Sequence, residues 1–389
     1  MPPTDTVPLH RLTFARPAPP RRTTLPDGTT AWLFTRYTDV RRIINHATFH
    51  RVLLPAPGAG TTNLVDAPDS LTKKDDDQHL RLRRTVQRSF SPRAIARMTP
   101  WVSTVVDQLL DALVDHGPPA DLVTHYTQSL PIAVMSRLTG VHDVSDARLR
   151  HWAEHAFAGA TTDRAEAADA TREFTDFTVN LLAERRRTPG PDMISSLVQA
   201  ADVEGGITEP QLVNLVSTLI VGGHDTAMTM LGNSLLYLLD ERPEVWARLG
   251  SDEAAAGLLT DRMLHLIPPG DPDEHPNPLR ATEDIDVGGI TIRAGEIVVV
   301  DRAAANRDPA AFSDDPFSDL FAPLESPTLA FGGGRHYCPG TWLAHAELHL
   351  GLHRLAARIP GLRLTTSADT VEWRLGTITR SPLHLPATW

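Results

Sequence analysis

The residues able to do chemistry converge near the C-terminal end, in Phe331-Gly332-Gly333-Gly334-Arg335-His336-Tyr337-Cys338-Pro339-Gly340, which holds the only cysteine of 389 residues. A single thiol rules out an intrachain disulfide and a multi-cysteine zinc site. The three glycines tolerate positive φ and let the backbone approach a bulky group, so the stretch predicts a tight loop around a ligand. Pro339 suits a first helical turn, and Leu343, Ala346 and Leu350 fall in helical register between Thr341 and Leu350. A cysteine placed there stands at the positive end of a helix dipole, which favours its thiolate. Nucleophile, redox thiol and metal ligand are the three roles open to it; taken alone, a lone cysteine reads as a small buried hydrophobe.

The surroundings narrow that choice. No Cys/His pairing of covalent catalysis and no resolving cysteine is present, whereas His336 two residues earlier fits an axial thiolate to haem iron, with the histidine set to meet a propionate. A second constellation is basic: His79 and Arg83 lie one turn apart in His79-Leu80-Arg81-Leu82-Arg83-Arg84 and share a helix face suited to an anion, or to solvent. A third interrupts a long apolar helix. Thr208 and Gln211 form a capping box, and Thr208 to Leu239 predicts about 30 helical residues, roughly 45 Å. In its middle stands Gly222-Gly223-His224-Asp225-Thr226, where each glycine costs about 1 kcal/mol relative to alanine. Either a local widening of the helix at a functional site or a packing notch accounts for such a break.

The string from Phe331 to Gly340 resembles the haem-binding loop of the cytochrome P450 family, Phe-Gly-x-Gly-x-His-x-Cys-x-Gly, at every specified position, Phe331, Gly332, Gly334, His336, Cys338 and Gly340. The resemblance runs from about Thr29 to the C-terminus. It implies haem b (iron protoporphyrin IX) ligated through Cys338, with His79 and Arg83 on a propionate. It implies that Gly222, Gly223, Asp225 and Thr226 lie over the distal haem face, Thr226 meeting the oxygen under activation and Asp225 relaying the protons that drive O–O cleavage. The implied fold is mainly α-helical with a small β-sheet region, the haem buried between the long central helix and the cysteine loop. Residues 1–28 read as a proline-rich N-terminal segment and 29–389 as one haem-thiolate monooxygenase domain.

The chain departs from the family in three places. The usual Glu-x-x-Arg before Pro268-Pro269 is replaced by Arg262-Met263-Leu264-His265, and no arginine occurs between Arg307 and Arg335 to serve as the customary third partner. Losing a whole buried charge network is less damaging than losing one member. The propionate arginine expected at 279 is Leu279, leaving Arg280, one residue on, as the cofactor contact to be tested, although a one-residue step in a strand reverses the face. The usual Ala-Arg-x-Glu after the cysteine appears as Ala344-His345-Ala346-Glu347.

The elements that must position these groups are legible in outline. A strand is predicted at Thr29 to Phe34 and a helix at Tyr37 to Asn45, capped by Thr38 or a neighbour; an irregular stretch occupies 52–78. Helices are predicted at Trp101 to Val114, Leu122 to Leu138, Phe174 to Arg187 and from Met193, and Ala156 to Thr171 reads as a mobile lid or an ordinary surface helix and loop. Short strands fall around Val287-Gly288-Gly289 and Ala294-Gly295-Glu296. No apolar run reaches transmembrane length and no signal-peptide core precedes Pro20, which places the protein in the cytoplasm, without a membrane. A net charge of −11 argues against nucleic acid. Arg81 and Arg84 are read as facing solvent, where they would recruit an acidic electron donor, and the resemblance implies a ferredoxin with its ferredoxin reductase, since no flavin motif is present. The substrate would be a small molecule or a peptide, tailored by hydroxylation or oxidative aromatic cross-linking in specialised metabolism. Two rivals are a haem-free, non-catalytic helper that binds a partner enzyme, supported by the missing Glu-x-x-Arg, and a haem protein using peroxide directly.

Overall fold

The computed structural model describes residues 7–12, 14–25, 27–52, 70–141, 144–156, 164–271, 277–313, 315–375 and 377–389. Among the described residues twelve α-helices follow one another: α1 (Tyr37–Asn45), α2 (Asp77–Gln87), α3 (Pro92–His116), α4 (Ser129–Thr139), α5 (Asp146–Ala156), α6 (Arg164–Arg187), α7 (Met193–Glu204), α8 (Glu209–Asp240), α9 (Trp246–Ser251), α10 (Glu253–Leu266), α11 (Arg302–Ala305) and α12 (Thr341–Arg358). Five short strands make the main sheet: β1 (Arg21–Thr24), β2 (Thr30–Phe34), β3 (Phe49–Arg51), β5 (Leu279–Ala281) and β8 (Ile297–Val300), in the order β1-β2-β8-β5-β3. The smaller pieces are β4 (Ala120–Asp121), β6 (Ile285–Val287), β7 (Ile290–Ile292), β9 (Arg363–Leu364), β10 (Trp373–Arg374), β11 (Ser381–Pro382) and β12 (Pro386–Thr388). Most of the irregular stretch at 52–78, and residues 157–163 of the stretch read as a lid, lie outside the described residues; the rest of the latter, from Arg164, opens α6.

Helix α8 is the axis. Thr208 and Gln211 exchange both bonds of the expected capping box, Thr208 N–H to Gln211 Oε1 at 3.0 Å and Gln211 N–H to Thr208 Oγ1 at 3.4 Å. Nearly every residue from Gln211 to Leu239 is buried, the signature of a helix wrapped by others on all sides. The expected widening at Gly222 is absent, and the helix runs unbroken to Asp240. Helix α12, which leaves the cysteine loop, crosses α8 where Gly351 lies against Leu231. A Cβ on Gly351 would stand 3.1 Å from Leu130 and 3.2 Å from Leu231, so a larger residue would push these side chains back by a few tenths of an ångström. Tyr126 seals the crossing by donating its hydroxyl to the Gly351 carbonyl at 2.7 Å.

Two local readings are corrected. The N-terminus of α1 takes its cap from across the fold, Tyr37 N–H donating to Asp308 Oδ2 at 2.8 Å, and not from Thr38. Leu122 to Leu138 divides into a π turn at Val123–Thr127 and then α4.

Candidate active site

The cysteine loop is shaped by glycine. Cys338 N–H donates to the Phe331 carbonyl at 2.9 Å and closes it. Gly332 and Gly334 have φ of +74° and +57°. A Cβ on Gly334 would stand 2.5 Å from the Ile44 carbonyl oxygen, and one on Gly332 3.3 Å from Arg302 Nη1, so conformation and space both require glycine. Gly340 is the N-cap of α12, and Thr341 Oγ1 donates to the Cys338 carbonyl at 2.9 Å. The expected thiolate is not favoured by the protein alone. Burial pushes the Cys338 thiol up, against the pull of the Gly340 N–H, Arg83, Thr341 and Arg302. Desolvation outweighs the helix end, and an ionised sulfur here needs a strong cation beside it.

Helix α2 meets this loop. Asp76 caps it by accepting from the N–H groups of Gln78 and His79, which fixes its first turn. His79 is thereby buried with its ring 4.6 Å from that of His336, and one turn on Arg83 donates Nη2 to the Tyr337 carbonyl. Both ring nitrogens of His79 are buried without a partner, and burial, then His336, draws its pKa down to about 4. An imidazole buried with both nitrogens unmet has room for a ligand's acceptor.

Beside the loop lies a cavity of about 180 Å³, with Arg51, Arg302, Arg307, Arg335, His46 and His336 among its lining residues. Burial, then the neighbouring Arg302, lowers the Arg51 pKa to about 10, and Arg51 Nε is buried without a partner. Arg302 is lowered chiefly by burial and feels the Cys338 sulfur. Guanidiniums gathered around one cavity call for an anion. The carboxylate of Asp75 answers part of that demand: Oδ1 lies 2.8 Å from His336 Nε2, and Oδ2 accepts from Arg51 N–H at 2.5 Å.

On α8 the two glycines do different work. A Cβ on Gly223 would meet Met135 Sδ at 2.5 Å, so Gly223 is the notch that seats α4. A Cβ on Gly222 would touch nothing within 4 Å, and the Gly222 carbonyl accepts the Thr226 hydroxyl at 2.7 Å. Asp225 is fully buried and clamped: Arg374 Nη1 lies 2.6 Å from Oδ1, and Thr379 Oγ1 donates to Oδ2 at 2.5 Å.

The chain is similar to known proteins. Residues 275–358 match the family model described as Cytochrome P450. The nocardicin C N-oxygenase of Nocardia uniformis subsp. tsuyamanensis is 38% identical over 375 residues, 95% of this chain and 92% of that protein. The chain belongs to the cytochrome P450 family. The biflaviolin synthase of Streptomyces coelicolor is 36% identical over 96% of this P450 and 91% of its own length. Among solved structures, the LnmA cytochrome P450 hydroxylase of the leinamycin pathway of Streptomyces atroolivaceus superposes with a TM-score of 0.85 at 35% identity, covering 95% of this chain and 93% of that one. The P450 fold and a monooxygenase activity follow, and the family implies a haem-thiolate cofactor, redox partners and small-molecule substrates. No helix among the described residues is long and apolar enough to cross a membrane.

The departures of this P450 now have structures. Arg280 is corrected as a propionate contact: in β5 its neighbours Leu279 and Ala281 are buried while Arg280 is exposed, and Leu279 lines the cavity. The pleat alternates sides, so one residue of offset sends the guanidinium outward. Arg51 and Arg302, missed in the sequence, supply charge to that cavity instead. Arg302 had a signal: it is the lone cation between the apolar strand Ile297–Val300 and Ala303-Ala304-Ala305. The Glu-x-x-Arg network is rebuilt and not simply lost. Arg262, 1% exposed, donates Nη2 to the carbonyls of Ala322 (3.0 Å) and Pro323 (3.3 Å). His265 Nδ1 lies 3.2 Å from Thr328 Oγ1, which also accepts from Asn306. Asn306 closes the set by accepting from Leu329 N–H at 2.9 Å, two residues before Phe331. Arg84, read as a recruiter of a donor protein, pairs with Glu204 at 2.7 Å.

Proposed function

We propose that residues 29–389 act as one haem-thiolate domain that binds haem b through Cys338 and oxidises a specialised metabolite or peptide in the cytoplasm, with electrons from a ferredoxin and its reductase. The observation that carries this reading is the convergence of His79, Arg83 and His336 on the cysteine loop beside a cavity lined by Arg51 and Arg302. The unmet nitrogens of His79 and Arg51 and the glycine-walled loop fit a flat dianionic group with a metal at its centre. When bound, haem would supply oxygen activation, with transfer of an oxygen atom to the substrate or removal of an electron from it.

The chain's own residues would hold and feed that group. Arg83, Arg51 and Arg302 would neutralise its carboxylates and the imidazoles of His79 and His336 would hydrogen-bond them, with Asp75 setting the orientation of His336. Thr226 commits its hydroxyl proton to the Gly222 carbonyl and keeps its oxygen lone pairs as acceptors. Asp225, held in place by Arg374 and Thr379, is the carboxylate positioned to relay protons toward the Thr226 side of the helix. Relatives named as an N-oxygenase, a hydroxylase and a biflaviolin synthase support oxygen insertion or aromatic coupling as the reaction class. The rebuilt Arg262 network removes the main support for a non-catalytic helper.

The test is the absorption spectrum of the purified protein, oxidised and then reduced under carbon monoxide, beside Cys338→Ala. A strongly red-shifted thiolate-type Soret band, absent from the variant, is expected. Failure to take up haem on reconstitution would sink the reading.

A further inference from the structure

A second cluster of metal-ligating side chains lies away from the cysteine loop, on α5 and α6. His151 and His155 stand one turn apart on α5, their ring centroids 4.4 Å apart. Glu166 rises from α6, its Oε1 3.6 Å from His155 Nε2. One donor atom from each of the three lies within 4.8 Å of the others. Among the described residues these are the only three His, Cys, Asp or Glu side chains so grouped.

From this geometry we infer a divalent transition-metal site, for which Zn²⁺ is the fitting ion, formed by His151, His155 and Glu166 and joining α5 to α6. Two donors on a tetrahedral zinc with bonds of about 2.0–2.1 Å stand roughly 3.3 Å apart, so the 3.6 Å gap between His155 and Glu166 is already close to a ligand–ligand separation. His155 is also oriented as a metal-bound histidine is. Its Nδ1 lies 2.7 Å from the His151 carbonyl, which can only accept, so the proton sits on Nδ1 and Nε2 offers its lone pair toward Glu166. Two imidazoles and one carboxylate leave a fourth position for water. The ordinary alternative is a histidine–glutamate ion pair. It accounts for Glu166 and His155, but not for His151 standing beside them with the His155 tautomer fixed by the backbone.

The position gives such a site leverage. Helix α5 is already packed on α6 through Trp152, buried and stacked with Phe174 and 4.9 Å from Phe177. Its other face reaches α8, where Leu149 and Ala153 wall a small space with Ile220, Val221 and His224. A metal ion therefore adds a tie between α5 and α6, next to the segment of α8 that carries Asp225 and Thr226.

Zinc titration of chelator-washed holoprotein by calorimetry, with the zinc-edge X-ray absorption of the product, tests the site without reference to turnover. One zinc per chain with two imidazole nitrogens and a carboxylate oxygen is expected. His155→Ala and the isosteric, surface-borne Glu166→Gln should each weaken binding about tenfold or more, and His116→Ala, which breaks a separate close histidine pair with His125 (4.3 Å), should not. Chelator should lower the melting temperature of the native protein but not of Glu166→Gln, which decides the matter if His155→Ala folds poorly. Unchanged affinity in Glu166→Gln, or a zinc shell without two imidazoles, overturns the assignment.

Discussion

Arg262 Nη1 stands 3.8 Å from Glu325 Oε2, a cation on α10 facing an anion in the segment before the cysteine loop. The family's pattern puts the glutamate on that helix and arginine in the segment, so the polarity is reversed here. The contact is loose on the glutamate side, whose side chain is 42% exposed, and the Arg262 bonds to the Ala322 and Pro323 carbonyls do more of the holding. Arg262→Ala should therefore cost about 1.5–3 kcal/mol, as expected when carbonyls lose a charged donor, while Glu325→Gln should cost under about 1 kcal/mol, as for exposed pairs. Arg262→Glu, the family's own residue, should be the worst of the three, because it removes the same donor and also buries an unpaired carboxylate beside those carbonyls and Glu325. Urea unfolding of each variant checks the order, and a larger loss from Glu325→Gln than from Arg262→Ala would contradict it.

Much of this arrangement was legible because it is local. The capping box at Thr208, the extent of α1 and the glycine loop all depend on neighbours within a few residues. Leu279 with Arg280 was legible too, through the alternation of a strand. What stayed hidden joins distant parts of the chain: Arg374 and Thr379 reach Asp225 across about 150 residues, and Arg262 reaches Pro323 across 61. Nothing in the spacing of Arg374 reports that its partner is Asp225. The thiol of Cys338 was misjudged for a different reason, since burial cannot be weighed against a helix end before the loop is folded.

Arg302 should matter for haem retention and Arg280 should not. Haem titrated into apoprotein and followed at the Soret band should bind Arg302→Leu roughly 10- to 100-fold more weakly, the loss of about 1.5–3 kcal/mol expected for a hydrogen bond to a charged group. Arg280→Leu should titrate like the parent, because its side chain faces outward in β5. Equal losses in both variants would mean that the cavity beside Arg51 does not hold the propionates.

The clamp on Asp225 makes separate demands on stability and turnover. Arg374→Ala leaves a fully buried carboxylate without its cation and should destabilise the protein by about 3–5 kcal/mol. Asp225→Asn keeps the shape but loses the proton relay and the charge facing Arg374, so turnover should fall about 10²- to 10⁴-fold, with a smaller loss of stability than Arg374→Ala because Arg374 stays partly exposed and bonded to Ser381 and Thr379. Thr226→Val should instead keep oxygen consumption while diverting it from product to peroxide. Measuring oxygen, peroxide and product together separates these outcomes; undiminished product formation in Asp225→Asn would remove it from the relay.

Glu347 and His265 set opposite pH dependences. Glu347 is fully buried on α12, and burial alone raises its pKa well above the usual carboxylate value. The folded chain therefore holds a proton that the unfolded chain releases above about 4.5, and this contribution to stability declines as pH rises from there toward the folded pKa. His265 is lowered to about 3, first by burial and then by Arg262 and Arg307. Its unfolded form takes up a proton near pH 6.5 while the folded form does not, so stability falls as pH drops from 6.5 toward about 3. Glu347→Gln should flatten the alkaline limb of a stability–pH curve and leave the acid limb in place. His265→Gln should relieve the acid limb. Melting temperatures collected from pH 4 to pH 9 resolve the two, and an alkaline limb unchanged in Glu347→Gln would show that this carboxyl ionises in the folded protein at its ordinary pH.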